Sequence, residues 1–166
     1  MTIALFPGSF DPITNGHIET AKKAAEIFEK VYLVAMTNTS KHYLFSPGER
    51  ADFARDALKD VANIEVLEKP DEITVDLAHE LHAKAIVRGV RNSADFRYEQ
   101  EIAGINKRLA PDINTILLFS SPENSFVASS MIKELAKFDK DVSQFLPEKA
   151  AKALRRKLGS SVLLNS

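Results

Sequence analysis

The chain has no cysteine, which excludes disulfides and every zinc site built on thiolates. It has almost no charge excess: 22 Lys and Arg stand against 23 Asp and Glu, for a net charge of −1. Proteins that live on nucleic-acid backbone usually show a basic surplus, so that class is disfavoured, while a local cationic pocket is not. No apolar run approaches the roughly 20 residues needed to span a bilayer. The opening MTIALFPG lacks the basic n-region and long apolar stretch of a secretory leader, and the expectation is a cytoplasmic protein. Internal repeats, low-complexity tracts and Gly/Ser linkers are missing too. What remains, 166 residues with 45% hydrophobic, suffices for one domain with a full core. That domain is expected over residues 1–158, with a disordered tail at 159–166.

Short apolar runs alternate with longer helical patterns. The runs Ile3–Phe6, Val31–Met36, Ile64–Leu67, Ala85–Val87 and Thr115–Phe119 are continuous rather than alternating, as strands buried on both faces of a parallel sheet should be. Between them, Asn15 is the expected N-cap of a helix with Ile18, Ala21, Ala25 and Phe28 on one stripe. Ser46, Pro47 and Glu49 form a capping-box start for a helix to Leu58. Helices are also expected over Thr74–His82, Ser93–Leu109, Ser129–Phe138 and Pro147–Leu158. The order predicts an α/β fold, a doubly wound parallel five-stranded sheet. Such sheets bind ligands beyond the carboxyl ends of their strands, where the strand order reverses.

The loops expected there are chemically rich. FPGSFDPITNGH (Phe6 to His17) is longer than a plain strand-to-helix link requires. It offers a flexible Gly8, the Ser9 hydroxyl, an Asp11-Pro12 turn, and Gly16 and His17 in a first helical turn, where free N–H groups favour anions. A histidine there either donates to a phosphate oxygen or simply caps. In TNTSKHYLFS (Thr37 to Ser46), Lys41 is either a ligand-edge cation or a solvated charge. In VRGVR (Val87 to Arg91), expected directly after the fourth strand, two arginines suit phosphate oxygens. Equally, they suit salt bridges to Asp95, Glu99 or Glu101. In SSPENSFVASSMIK (Ser120 to Lys133), Ser129 and Ser130 open a helix as an anion site or as ordinary caps. No nucleophile–base pair stands out, and the inventory suits holding a polyphosphate by positioning and electrostatics.

Other signatures fail. His79-Glu80-Leu81-His82 is one residue short of H-E-x-x-H, and no metal site is expected. Neither a P-loop nor G-x-G-x-x-G is present. The basic helix with Lys149, Lys152, Arg155, Arg156 and Lys157 reads as a solvated face.

Gly8-Ser9-Phe10-Asp11-Pro12 followed by Gly16-His17 resembles the signature of the nucleotidyltransferase superfamily with the T/HxGH motif. Over roughly residues 2–158 the resemblance narrows to the bacterial phosphopantetheine adenylyltransferases, through PGSFDPITNGH, the lysine after the second strand, VRGVRNSADFRYE, SFVASSMIK and FLPE. It implies a Rossmann-like nucleotidyltransferase fold and adenylyl transfer from Mg-ATP to 4′-phosphopantetheine in coenzyme A synthesis, with Mg2+ arriving on ATP. His17 would stabilise charge on the α-phosphate, with Lys41 and Arg91 also catalytic. Ser9, Lys41, Thr74 and Arg88 would bind 4′-phosphopantetheine. Ser9, Phe10, His17, Gly89, Val90, Arg91, Glu99, Asn124, Ser125, Phe126, Val127, Ala128, Ser129 and Ser130 would bind ATP. A homohexamer and feedback by coenzyme A are implied as well. Ser9, Asn124 and Ala128 depart from the commoner family residues. The alternatives are another nucleotidyltransferase, such as a nicotinate mononucleotide enzyme, and a non-catalytic nucleotide sensor.

Overall fold

The computed structural model describes residues 1–159; the expected tail beyond Gly159 lies outside them. Five parallel strands stand in the order β3-β2-β1-β4-β5: β1 Ile3–Gly8, β2 Lys30–Ala35, β3 Ile64–Glu68, β4 Ala85–Val90 and β5 Asn114–Phe119. The helices are α1 Asn15–Ile27, α2 Pro47–Ala57, α3 Thr74–Glu80, α4 Ser93–Leu109, α5 Ser129–Lys137 and α6 Glu148–Leu158. From β1 the chain moves outward to β2 and β3, then returns to place β4 on the other side of β1. The strand order therefore reverses between β1 and β4.

The central strands β1, β2 and β4 feed both faces of the sheet. Ala4, Phe6, Leu33 and Val87 join one core with Ala21 and Ala24 of α1, Phe53 and Ala54 of α2, Ile132 of α5 and Leu154 of α6. Leu5, Val34 and Ile86 point the other way, onto Val75, Leu77 and Ala78 of α3. That two-sided burial explains why the runs read as continuously apolar.

Strands β1 and β4 outlast their apolar runs by two and three residues. Pro7 and Gly8 stay in register with Val34 and Ala35. Arg88, Gly89 and Val90 pair with Leu117, Leu118 and Phe119. Arg88 is thus a strand residue, not part of a loop after β4, because backbone pairing rather than hydrophobicity sets a strand's end. The N-cap of α1 is Thr14 rather than Asn15. Thr14 is extended (φ −112°) and its Oγ1 accepts the His17 N–H, whereas the Asn15 side chain donates to the Gln144 carbonyl at 3.0 Å. The capping box of α2 is present as the sequence predicts, with Ser46 and Glu49 bonded reciprocally.

Candidate active site

Two clefts open at the carboxyl ends of β1 and β4, where the strand order reverses. One, of about 520 Å³, lies on the side of α1 and α5 and takes in Phe10, Thr14, His17, Arg91, Ser129 and Lys133. The other, of about 420 Å³, lies on the side of α3 and α4, with Met36, Asn38, Thr74 and Ile102. Both are bounded by Pro7, Gly8, Ser9, Lys41, Arg88 and Glu99. A larger groove of about 1160 Å³ between α5 and α6 touches none of these residues.

His17 is held by its own cap. The Thr14 backbone N–H donates to its Nδ1 at 3.0 Å, and the Phe10 ring meets it edge-on with centroids 5.1 Å apart. An Nδ1 that accepts an N–H carries no proton, so the neutral ring bears its hydrogen on Nε2. Burial, with the positive charges of Arg88 and Arg91 adding to it, pushes its pKa down to about 4. His17 therefore meets the cleft as a neutral donor at neutral pH.

Phe10 has a positive φ of 48°, which folds its ring back under Gly8. A Cβ at Gly8 would stand 2.7 Å from the Phe10 Cζ, so glycine is needed here for internal packing. Gly89 is needed likewise, because a Cβ there would stand 2.9 Å from the Thr20 Oγ1 and push α1 off β4.

Both arginines are paired with carboxylates. Arg88 donates from Nε and Nη2 to the two oxygens of buried Glu99, each at 2.9 Å, and from Nη1 to the Pro7 carbonyl at 2.5 Å. Arg91 grips Asp95 in the same forked way, at 2.8 and 3.1 Å, and this holds the Asp95 carboxyl below its ordinary pKa. These are the salt bridges the sequence left open, made to Glu99 and Asp95 and not to Glu101. Among the described residues, the Lys41 ammonium has no bonded partner.

A sequence profile of the cytidylyltransferase-like family matches residues 5–135. The chain is 99% identical to the phosphopantetheine adenylyltransferase of Lactobacillus helveticus over 160 residues, covering 96% of this chain and 98% of that one. The chain belongs to the cytidylyltransferase-like family, among the nucleotidyltransferases. Its identity to the phosphopantetheine adenylyltransferase of Lactobacillus acidophilus is 82%, over 95% of this chain and 98% of the relative. For the protein of that name from Leuconostoc mesenteroides it is 45%, over 96% and 98%. The fold is similar to a crystal structure from Vibrio parahaemolyticus assigned as a nicotinate-nucleotide adenylyltransferase. That match has a TM-score of 0.68 at 18% identity and covers 93% of this chain and 99% of the other.

Of the residues the sequence nominates in this nucleotidyltransferase, Ser9, Phe10, His17, Lys41, Arg88, Gly89, Arg91, Glu99, Val127, Ala128, Ser129 and Ser130 line the larger of the two clefts. Thr74 lines the other. Val90 is buried in the core. Asn124, Ser125 and Phe126 stand outside both clefts: the Asn124 amide donates to Glu19 at 2.6 Å, the Ser125 hydroxyl to the Pro122 carbonyl, and Phe126 is exposed. Ser129 does not cap α5, since its hydroxyl donates to the Pro12 carbonyl at 3.0 Å.

Sequence reasoning missed three supports. The buried Asp11 carboxylate accepts the Leu44 and Phe45 N–H groups, each at 2.9 Å, and the Lys133 ammonium at 3.1 Å. The Arg50 guanidinium, wholly buried, donates to the Ser9 and Met36 carbonyls and the Thr37 hydroxyl. Glu19, two residues past His17 on α1, receives bonds from Lys23, Ser121 and Asn124. Burial alone would raise its pKa, but those bonds outweigh it and hold the carboxyl at about 2. Only Arg50 left a readable sign: it precedes Phe53 and Ala54 by three and four residues, on the apolar stripe of α2.

Proposed function

We propose that the enzyme transfers the adenylyl group of ATP to 4′-phosphopantetheine, giving dephospho-CoA and pyrophosphate. The observation that carries this reading is the shared wall. A nucleotide in the α1/α5 cleft and a phosphorylated arm in the α3/α4 cleft would meet at Ser9, Lys41 and Arg88, which border both. The relatives' names supply the acceptor.

An oxygen of the acceptor's phosphate attacks the α-phosphorus in line. The bond to the bridging oxygen of the β-phosphate breaks, and pyrophosphate leaves with that electron pair. The protein contributes placement and charge stabilisation rather than a covalent intermediate. Lys41 and Arg88 hold the acceptor phosphate and screen its approach to a second anion. The neutral His17 donates its Nε2 hydrogen to the α-phosphate oxygens, where negative charge grows. Arg91 and the first turn of α5 take the β- and γ-phosphates. Thr74 borders the pantetheine arm.

Mg2+ fits this scheme as cargo of ATP. The cleft's carboxylates are already engaged, Asp11 with Lys133 and backbone amides, Asp95 and Glu99 with arginines. Oxygen ligands for the metal would therefore come from phosphates and water, the usual arrangement for this ion. Its chemistry there is to draw charge from the triphosphate.

The α3/α4 cleft would also admit the pantetheine arm of coenzyme A as a feedback ligand. Tyr98, Ile105 and Leu109 lie exposed along one face of α4, an apolar stripe that suits contact with further copies in a homohexamer. No described helix is long and apolar enough to cross a membrane, in keeping with a cytoplasmic place in coenzyme A synthesis.

Pyrophosphate release from Mg-ATP, measured with 4′-phosphopantetheine and with nicotinate mononucleotide in parallel, tests the reading. Release with the first alone is expected. Release with the second alone would transfer the enzyme to pyridine-nucleotide chemistry, and release with neither would favour a nucleotide sensor.

A further inference from the structure

The loop of residues 37–46 carries Lys41, yet the lysine side chain has no bonded partner among the described residues, so its place over the clefts depends on how the loop is anchored. The far end is fixed by Asp11 through the Leu44 and Phe45 amides. The near end and middle converge on two residues that no sequence motif singled out. Arg50 donates to the Ser9 carbonyl at 2.6 Å, the Met36 carbonyl at 2.9 Å and the Thr37 hydroxyl at 2.7 Å. The Tyr43 ring lies over this guanidinium, 4.3 Å from its centre. The Tyr43 hydroxyl accepts the Asn38 N–H at 2.6 Å and stands 3.4 Å from the Ser9 Oγ. Asn38 in turn accepts the Lys41 N–H through its carbonyl at 3.0 Å. One phenol thus links the buried cation, the turn that bears Lys41, and the serine at the junction of the two clefts.

We propose that Tyr43, seated on Arg50, is a positioning residue that latches the Lys41 loop over Ser9 and so sets the affinity for the phosphorylated acceptor. Tyr43 itself lines the α1/α5 cleft, but the cation its latch places is Lys41, the group given above to the acceptor phosphate, whereas His17, Arg91 and the start of α5 are held by other contacts. Its hydroxyl accepts from Asn38 and keeps its own proton for Ser9, or for a phosphate oxygen that comes between them. A planar guanidinium under an aromatic face is a rigid seat.

The substrate assignment rests on the proposed adenylyl transfer, so the test has an arm that needs no acceptor. Amide hydrogen exchange is read at Asn38 in the parent and in Tyr43→Phe, which keeps the ring and loses the hydroxyl. Protection in the parent and at least tenfold faster exchange in the variant are expected; equal exchange in the two overturns the latch. In steady-state kinetics, Tyr43→Phe should raise KM for 4′-phosphopantetheine about fivefold, and Tyr43→Leu, which also loses the ring, about twentyfold. KM for ATP should stay within twofold of the parent in both variants. Equal rises in both KM values, or no rise for Tyr43→Leu, overturn the acceptor-side role. A parent inactive with 4′-phosphopantetheine would refute the substrate assignment and leave the exchange result to decide the latch.

Discussion

Replacing His17 separates its two duties, because each rests on a different nitrogen. His17→Ala removes the Nδ1 acceptor from the Thr14 N–H, a contact of 3.0 Å in a residue only 1% exposed. An orphaned buried donor costs about 1–3 kcal/mol, and loss of the edge contact with Phe10 adds about 0.5–1.5 kcal/mol. A net loss near 2 kcal/mol would lower the melting temperature of a chain this size by about 4–8 °C. The same change removes the Nε2 donor, which, by analogy with a lost oxyanion donor, should cut kcat by about two to three powers of ten. His17→Asn tells the duties apart: its side-chain carbonyl reaches back to the Thr14 amide but leaves nothing at the Nε2 position. The expected result is a melting temperature lowered by about 1–6 °C, for the Phe10 contact that asparagine also loses, and so less than in His17→Ala, with kcat still down at least a hundredfold, measured by thermal unfolding and pyrophosphate release. A His17→Asn enzyme turning over within threefold of the parent would refute the argument.

Two further perturbations follow from the charge states. Nitrogen-15 spectra of His17 should show the Nε2-protonated neutral tautomer at pH 6.5, with titration only near pH 4; a midpoint near 6.5 would overturn the assignment. Because the folded pKa lies below the unfolded value of 6.5, the unfolded chain binds more protons between those limits, so this group lowers stability as pH falls from about 6.5 toward 4. Glu19 favours its charged form where His17 resists it, yet its pH dependence has the same sign. Its folded pKa of about 2 lies below 4.5, so its contribution is complete above about pH 4.5 and is lost as pH falls through 2. Glu19→Gln should cost about 1.5–3 kcal/mol in urea unfolding at pH 7, with a smaller penalty at the lowest pH where the parent stays folded; a cost unchanged with pH would count against the charged ties to Lys23, Ser121 and Asn124.

How much was legible depended on the range of the interaction. The β-runs, the Ser46–Glu49 capping box and the bounds of α4 follow from neighbours within four residues, and sequence shows neighbours. Thr14 was misread because Asn15 is an equally good capping residue; the choice was made by Gln144, 129 positions away, which takes the Asn15 amide. The extra length of β4 was hidden because Arg88 breaks the apolar run with a charge and Gly89 is a poor strand former by type, and pairing with β5 overrides both. His17, Lys41 and the arginines were visible as chemistry at strand ends. Their supports were not, since Asp11 meets Lys133 across 122 positions and Arg50 meets Ser9 across 41.

Those supports change what the arginines mean. A guanidinium waiting alone for a phosphate would bind any anion and would have to settle on arrival. In Arg88 the Glu99 carboxylate and the Pro7 carbonyl fix the plane of the fork beforehand, and in Arg91 the Asp95 carboxylate does so. The larger cleft sets Lys41, Arg88, Arg91 and Lys133 against Asp11, Asp95 and Glu99, with Arg50 buried beneath. The local balance is therefore positive on a chain whose net charge is −1, yet far weaker than the cations alone would make it. Moderated charge with fixed direction suits a reaction in which the summed phosphate charge barely changes while its distribution shifts between substrates and products. Donors held in place need no reorganisation as charge moves onto the α-phosphate and the departing pyrophosphate, and a site that does not bind polyphosphate too tightly can let that product go.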